Sequence, residues 1–206
     1  MRPQLVLIVQ DVVGVWAFRK SWDRGTLVLM IPSAAVGISL GYLLAAQVST
    51  TAVLAALGAI SVVFAIYRLW ASRGGRVQVS RDASMLLGAT LGIASGFTSQ
   101  IAHAGQPPLQ MWVMPKNLPP VTLAGTSAIY FAIVNWLKVP AYLALGQFTR
   151  TNLLAAALLM PVAIAATFAG VWLVRRVKAE RFYTIMYLLM IAVGAQLTWK
   201  ALSGSS

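Results

Sequence analysis

The sequence predicts an all-α fold, a polytopic bundle of membrane helices. Three observations point there. The chain is 59% hydrophobic and only 10% charged, against about 25% charged residues in soluble domains, so it cannot cover itself with polar surface in water. Apolar runs of about 20 residues, long enough to cross a bilayer, recur along its length. Its 16 lysines and arginines, set against four acids, gather at the ends of those runs, as they do in cytoplasmic loops facing anionic lipid.

Taken in order, residues 4–18 form a short apolar run interrupted by Asp11. It has no small-residue cleavage site and is therefore a span, not a signal peptide. The basic loop RKSWDRG (19–25) follows. Spans over 26–46 and 52–70 are separated by the uncharged turn 47–51, and a loop over 71–82 carries Arg73, Arg76, Arg81 and Asp82. Residues 83–103 form a span rich in glycine (Gly88, Gly92, Gly96), a composition that permits close helix packing in lipid. Then comes a break, and after it a short apolar piece over 109–115. Spans over 119–145, 151–174 and 182–199 complete the chain, with the strongly basic loop RRVKAER (175–181) between the last two. The count is seven membrane segments, one of them broken.

The chain carries a candidate repeat. An offset of 129 positions lays Pro32 on Pro161, Gly41 on Gly170 and Trp70 on Trp199. Chance agreement in an apolar sequence of low complexity is the plain alternative. The repeat divides the chain into residues 1–82 and 83–206, and the first copy then lacks roughly 46 residues, including a broken segment of its own. Either the chain is a fragment with a late start, or it works with one break in place of two. Charge places the loops 19–25, 71–82 and 175–181 in the cytoplasm and the turn 47–51 outside. Matching loops then lie on opposite sides, which makes the repeat inverted and requires 83–118 to enter and return. A parallel repeat would put the most basic loop outside, against the charge rule.

The break, SGFTSQIAHAGQPPLQMWVMPKNLPP (95–120), holds the chemistry. It sets Ser99, Gln100, the single histidine His103, Gly105, Gln106, Pro107 and Pro108 inside an apolar run. Non-helical backbone at membrane depth survives only against protein or a water-filled cavity, and half-helix ends of this kind form the substrate sites of secondary transporters. The two prolines lack N–H groups, so carbonyls near residues 103 and 104 are released toward a ligand or water. A half-helix starting at Pro107 would attract anions at its N-terminus, and His103 could donate a hydrogen bond or carry a proton. The plainer alternative is a kinked helix whose histidine is satisfied by a carbonyl.

Asp11 and Lys138 are the charges set well inside spans. Buried membrane charges pair or line water, so Lys138 is a candidate anion contact and Asp11, with His103, a candidate proton carrier. A structural ion pair, or snorkelling to the interface, accounts for them equally. Thr126, Ser127 and Asn135 are candidate polar contacts on the following span, where 127, 131, 134 and 138 share a face; helix–helix hydrogen bonding is the alternative.

Other classes are excluded. Without cysteine there is no disulfide or thiolate metal site, and one histidine with four acids offers no metal cluster. No nucleophile elbow, P-loop or protease histidine pair occurs, so neither an enzyme nor a cofactor is implied. The net charge of +12 does not indicate nucleic acid, because no basic helix face interleaved with aromatics exists. A cation channel would need a ring of acids.

The run SQIAHAGQPPLQMWVMP (99–115), with GTSAIYFAIVNWLKVPAYLALGQ (125–147) and QDVVGVWAFRKSWDR (10–24), resembles the TauE/SafE family, the sulfite exporter-like proteins of the toluene-sulfonate uptake permease superfamily. The resemblance implies a multi-pass inner-membrane protein, an internal duplication with about eight spans, and small sulfur-containing or organic anions as substrates. The sequence departs from the family's HAGGPP pattern at Gln106, where glycine would allow closer backbone approach, and it lacks the family's first glycine-rich segment. The function expected is alternating-access transport of sulfite, organosulfonate or related organic anions. Its expected partners are the anion and the lipid bilayer, and a homo-oligomer is compatible with the sequence. A non-transporting membrane subunit, scaffold or inactive truncated paralogue is the alternative.

Overall fold

The computed structural model describes the backbone of residues 4–73, 84–144 and 150–203, and side chains within 10–71, 84–140 and 160–203. The described residues form helices and connecting turns without a strand. In chain order the α-helices are α1 (Gln4–Phe18), α2 (Arg24–Leu44), α3 (Thr50–Arg73), α4 (Met85–Ala102), α5 (Gln106–Val113), α6 (Pro120–Ala144), α7 (Arg150–Arg176) and α8 (Ala179–Ser203), with a 3₁₀ turn at Met114–Lys116. Among the described residues, five helices are long and apolar enough to cross a membrane: α2, α3, α4, α6 and α8. The loop 74–83 and the link 145–149, and with them most of the basic loop expected at 71–82, lie outside the described residues.

Helix starts follow local chemistry. The Asp23 carboxylate accepts the Thr26 N–H at 2.8 Å, an N-terminal cap for α2. Ser49 accepts the Ala52 N–H at the start of α3, and Ser84 accepts the Leu86 N–H at the start of α4. Pro32, Pro140 and Pro161 lie inside α2, α6 and α7, as membrane helices tolerate.

The chain forms two compact units, and each takes segments from both halves of the sequence. The first comprises residues 1–31 and 119–177. Here α1 packs on α6 and α7, around Phe18, Leu27, Met30, Leu123, Tyr130 and Val134. The turn after α1 is pinned to α6 by the Asp23 N–H, which donates to Thr126 Oγ1 at 2.8 Å.

The second unit comprises residues 32–118 and 178–206. In it α3 pairs with α8, and α4 with α5. Gly88, Gly92 and Gly96 of α4 are buried, in keeping with the close packing their spacing predicts. At Gly96 the requirement is steric, since a Cβ would overlap the Ala34 carbonyl of α2. Gly37 answers from α2, where a Cβ would overlap the Ile93 carbonyl. The core is completed by Leu109, Trp112, Val113 and Met114 from α5 and the turn after it, and by Tyr187 and Met190 from α8.

Candidate functional site

The break lies in the second unit and is short: α4 stops at Ala102 and α5 starts at Gln106. His103 ends α4 in the left-handed conformation, with φ 53°, a region in which histidine is enriched among non-glycine residues. Its backbone N–H reaches the Thr98 carbonyl, as does that of Ala104 at 3.2 Å, while its side chain is exposed.

Two hydroxyls of α4 hold the carbonyls of the link. Ser95 Oγ donates to the Gly105 carbonyl at 2.6 Å. The Thr98 hydroxyl lies 3.1 Å from the Ala104 carbonyl and 2.8 Å from that of Ala94, so the carbonyl that Pro108 deprives of a helical donor is met inside the protein. Gly105 is seated so tightly that a Cβ would fall 2.7 Å from the Ser95 carbonyl and 2.8 Å from Ser99 Cβ. Gly105 is therefore under steric demand.

Helix α5 has eight residues and is about 12 Å long at 1.5 Å per residue, less than half the hydrocarbon thickness of about 30 Å. It is a half-helix. The apolar piece expected over 109–115 thus begins earlier, at Gln106, and takes both prolines into its first turn. Since Pro107 and Pro108 have no N–H, Gln106 and Leu109 alone keep first-turn amide donors. A buried start, with Pro107, Pro108 and Leu109 all buried, then strands few polar groups.

Beyond the break lies a cavity of about 190 Å³, lined by Gln106, Pro107 and Gln110 of α5 and by Met186, Leu189, Met190 and Val193 of α8. At about 30 Å³ per water it has room for roughly six waters or one small solute. Gln106 and Gln110 are four residues apart and share a helix face. Gln106 is exposed and Gln110 is buried, so two carboxamides approach from one side and thioether and aliphatic groups from the other. Amide NH₂ groups donate to oxyanion oxygens, and the apolar wall limits competition from water.

The first unit holds a second polar cluster. Asn135 Nδ2 on α6 donates to Asp11 Oδ2 on α1 at 2.7 Å. Lys138, one turn along α6, is 3% exposed and interacts electrostatically with the Asp11 carboxylate. A pair of opposite charges bridging two helices, with an amide on the carboxylate, is what an apolar environment demands of such groups.

A sequence profile described as sulfite exporter TauE/SafE matches residues 4–197. The chain belongs to the sulfite exporter TauE/SafE family. It is accordingly a multi-pass membrane protein of a transporter family. No curated protein and no solved structure matches it.

Within this TauE/SafE chain the residues singled out from sequence separate into groups. Gln106 and Pro107 line the cavity. Pro108, Ser99 and Gly105 are buried in the packing around the break. Gln100 points toward α2, where Gly41 leaves space for it, and its buried Oε1 has no hydrogen-bond partner among the described residues. Asp11, Asn135 and Lys138 meet in the other unit. Thr126 fastens the turn at Asp23, and Ser127 is half-buried on α6. Sequence reasoning missed Gln110, though its spacing from Gln106 was a usable signal. It also missed Ser95 and Thr98, which were visible as hydroxyls on a glycine-rich helix. Nothing in the sequence marked Met186 and Met190, which look like any apolar residues of a span.

Proposed function

We propose that this TauE/SafE chain is a permease for small anions, with sulfite and organosulfonates as the substrate class, acting by alternating access in the inner membrane. The observation that carries this is the cavity at the break, where Gln106 and Gln110 of a half-helix face a space of about 190 Å³. Its size suits a small solute, and its lining supplies hydrogen-bond donors without a fixed counter-charge. Neutral donors bind an anion weakly enough to release it, which a carrier needs.

The proposed scaffold is a repeat of inverted topology with seven membrane segments, divided between 1–82 and 83–206. Element lengths favour it. The offset of 129 lays α3 (Thr50–Arg73) on α8 (Ala179–Ser203) almost end to end, and α2 on α7 with a proline inside each. Moreover α3 packs on α8, and α1 on its counterpart α6, as elements related by a pseudo-two-fold axis do. Asp11, with Asn135 and Lys138 beside it, is the proposed proton carrier.

The test is flux of radiolabelled sulfite into proteoliposomes, with taurine and sulfoacetate as competitors. Saturable uptake above that of protein-free liposomes supports the reading. Uptake indistinguishable from protein-free liposomes for all three anions contradicts it.

A further inference from the structure

A groove of about 800 Å³ runs along the seam between α1 and α6 in the first unit. Its walls are apolar, with Val12, Val15 and Trp16 on one side and Ile133, Trp136 and Leu137 on the other. Several of these are well exposed, Val12 and Trp16 at 60% each and Trp136 at 58%. The groove is not symmetrical along its length. Asp11 lies at one end, occupied by Asn135. Arg19 lies at the other, eight residues and so about 12 Å along α1, with its guanidinium 5.8 Å from the centre of the Trp16 ring.

A second guanidinium reaches the same end. Arg175 of α7 donates to the Ala17 carbonyl at 2.9 Å, one of the carbonyls that a helix C-terminus leaves open. Next to it Arg176 stands 4.5 Å over the Trp172 ring. Paired tryptophan and arginine side chains mark the headgroup level of a bilayer. The groove thus joins an apolar channel to a cationic end.

We propose that this groove is a binding site for an anionic glycerophospholipid, one acyl chain lying along Val12, Val15 and Trp16 and the phosphate held by Arg19 and Arg175. Charge complementarity selects this occupant. A second apolar helix would leave both guanidiniums without an anion, and a zwitterionic lipid would bring its own cation to them. The groove belongs to the first unit and the cavity beside α5 to the second, and the proposal does not depend on what is transported there.

The experiment is native mass spectrometry of the full chain with added phosphatidylglycerol or phosphatidylcholine. Arg19→Ala removes the cation, Val12→Trp fills the exposed groove without touching the core, and Lys200→Ala, an exposed cation of α8, is the control. The expected result is retention of phosphatidylglycerol over phosphatidylcholine, falling about fivefold in Arg19→Ala and falling also in Val12→Trp, with Lys200→Ala unchanged. Equal retention of the two lipids would overturn the proposal. So would a fall in Arg19→Ala no larger than in Lys200→Ala, a Val12→Trp variant that retains lipid as the parent does, or a lipid-free dimer abolished by Val12→Trp.

Discussion

Ser95 Oγ donates a 2.6 Å hydrogen bond to the carbonyl of Gly105, ten residues along the chain. That bond returns the interrupted backbone to the helix it has just left. It ties the last carbonyl of the three-residue link between α4 and α5 to α4. Replacing Ser95 by alanine should remove the second donor from a carbonyl that also accepts the first intrahelical bond of α5, at a cost of about 1 kcal/mol. Thermal denaturation in detergent should show a clearly lowered midpoint, and Ser95→Thr, which keeps the hydroxyl, should lie nearer the parent.

Gly105 and Gly96 should resist substitution for steric reasons. Gly105→Ala places a methyl group 2.7 Å from the Ser95 carbonyl, and Gly96→Val forces α4 away from α2. Each should cost about 1–3 kcal/mol, the range for overpacking. Gly170, whose Cβ position meets no atom within 4 Å among the described residues, is the internal control. Gly170→Ala, inside α7, should melt no lower than the parent.

The pair formed by Asp11 and Lys138 should be non-additive. Asp11→Ala takes the carboxylate away from a lysine that is 3% exposed, which for buried pairs costs about 3 kcal/mol. Adding Lys138→Met should recover much of that loss, because neither charge then remains. Stabilities of the two single variants and the double variant close the cycle, and simple additivity would show that the two groups do not interact.

Much of this architecture could be read from the residues. The run 4–18 forms α1 with the same bounds, and the glycines of α4 pack where their spacing put them. The break was legible because polar residues and prolines are rare inside an apolar run and costly there unless the helix stops. Its internal detail was not. Proline reads as an interruption, yet Pro107 and Pro108 fit a helix's first turn, and the backbone turns instead at His103, where a left-handed φ carries no plain sequence signature. Partner choice was also hidden. Helices that are apolar on every side do not announce which neighbour they meet, so the approach of Asn135 to Asp11, and of Met190 to Gln110 across the cavity, required three dimensions.

Anion transport at the break depends on the carboxamides of α5 meeting a small oxyanion, and the most direct measurement is the KM for sulfite flux in proteoliposomes containing Gln110→Leu. Leucine keeps the bulk and removes the donors, so the KM should rise about tenfold, the loss of a hydrogen bond of about 1.5 kcal/mol to a charged group, with protein stability unchanged. A KM equal to that of the parent would mean that the anion does not bind beside Gln110, and the central claim would fail.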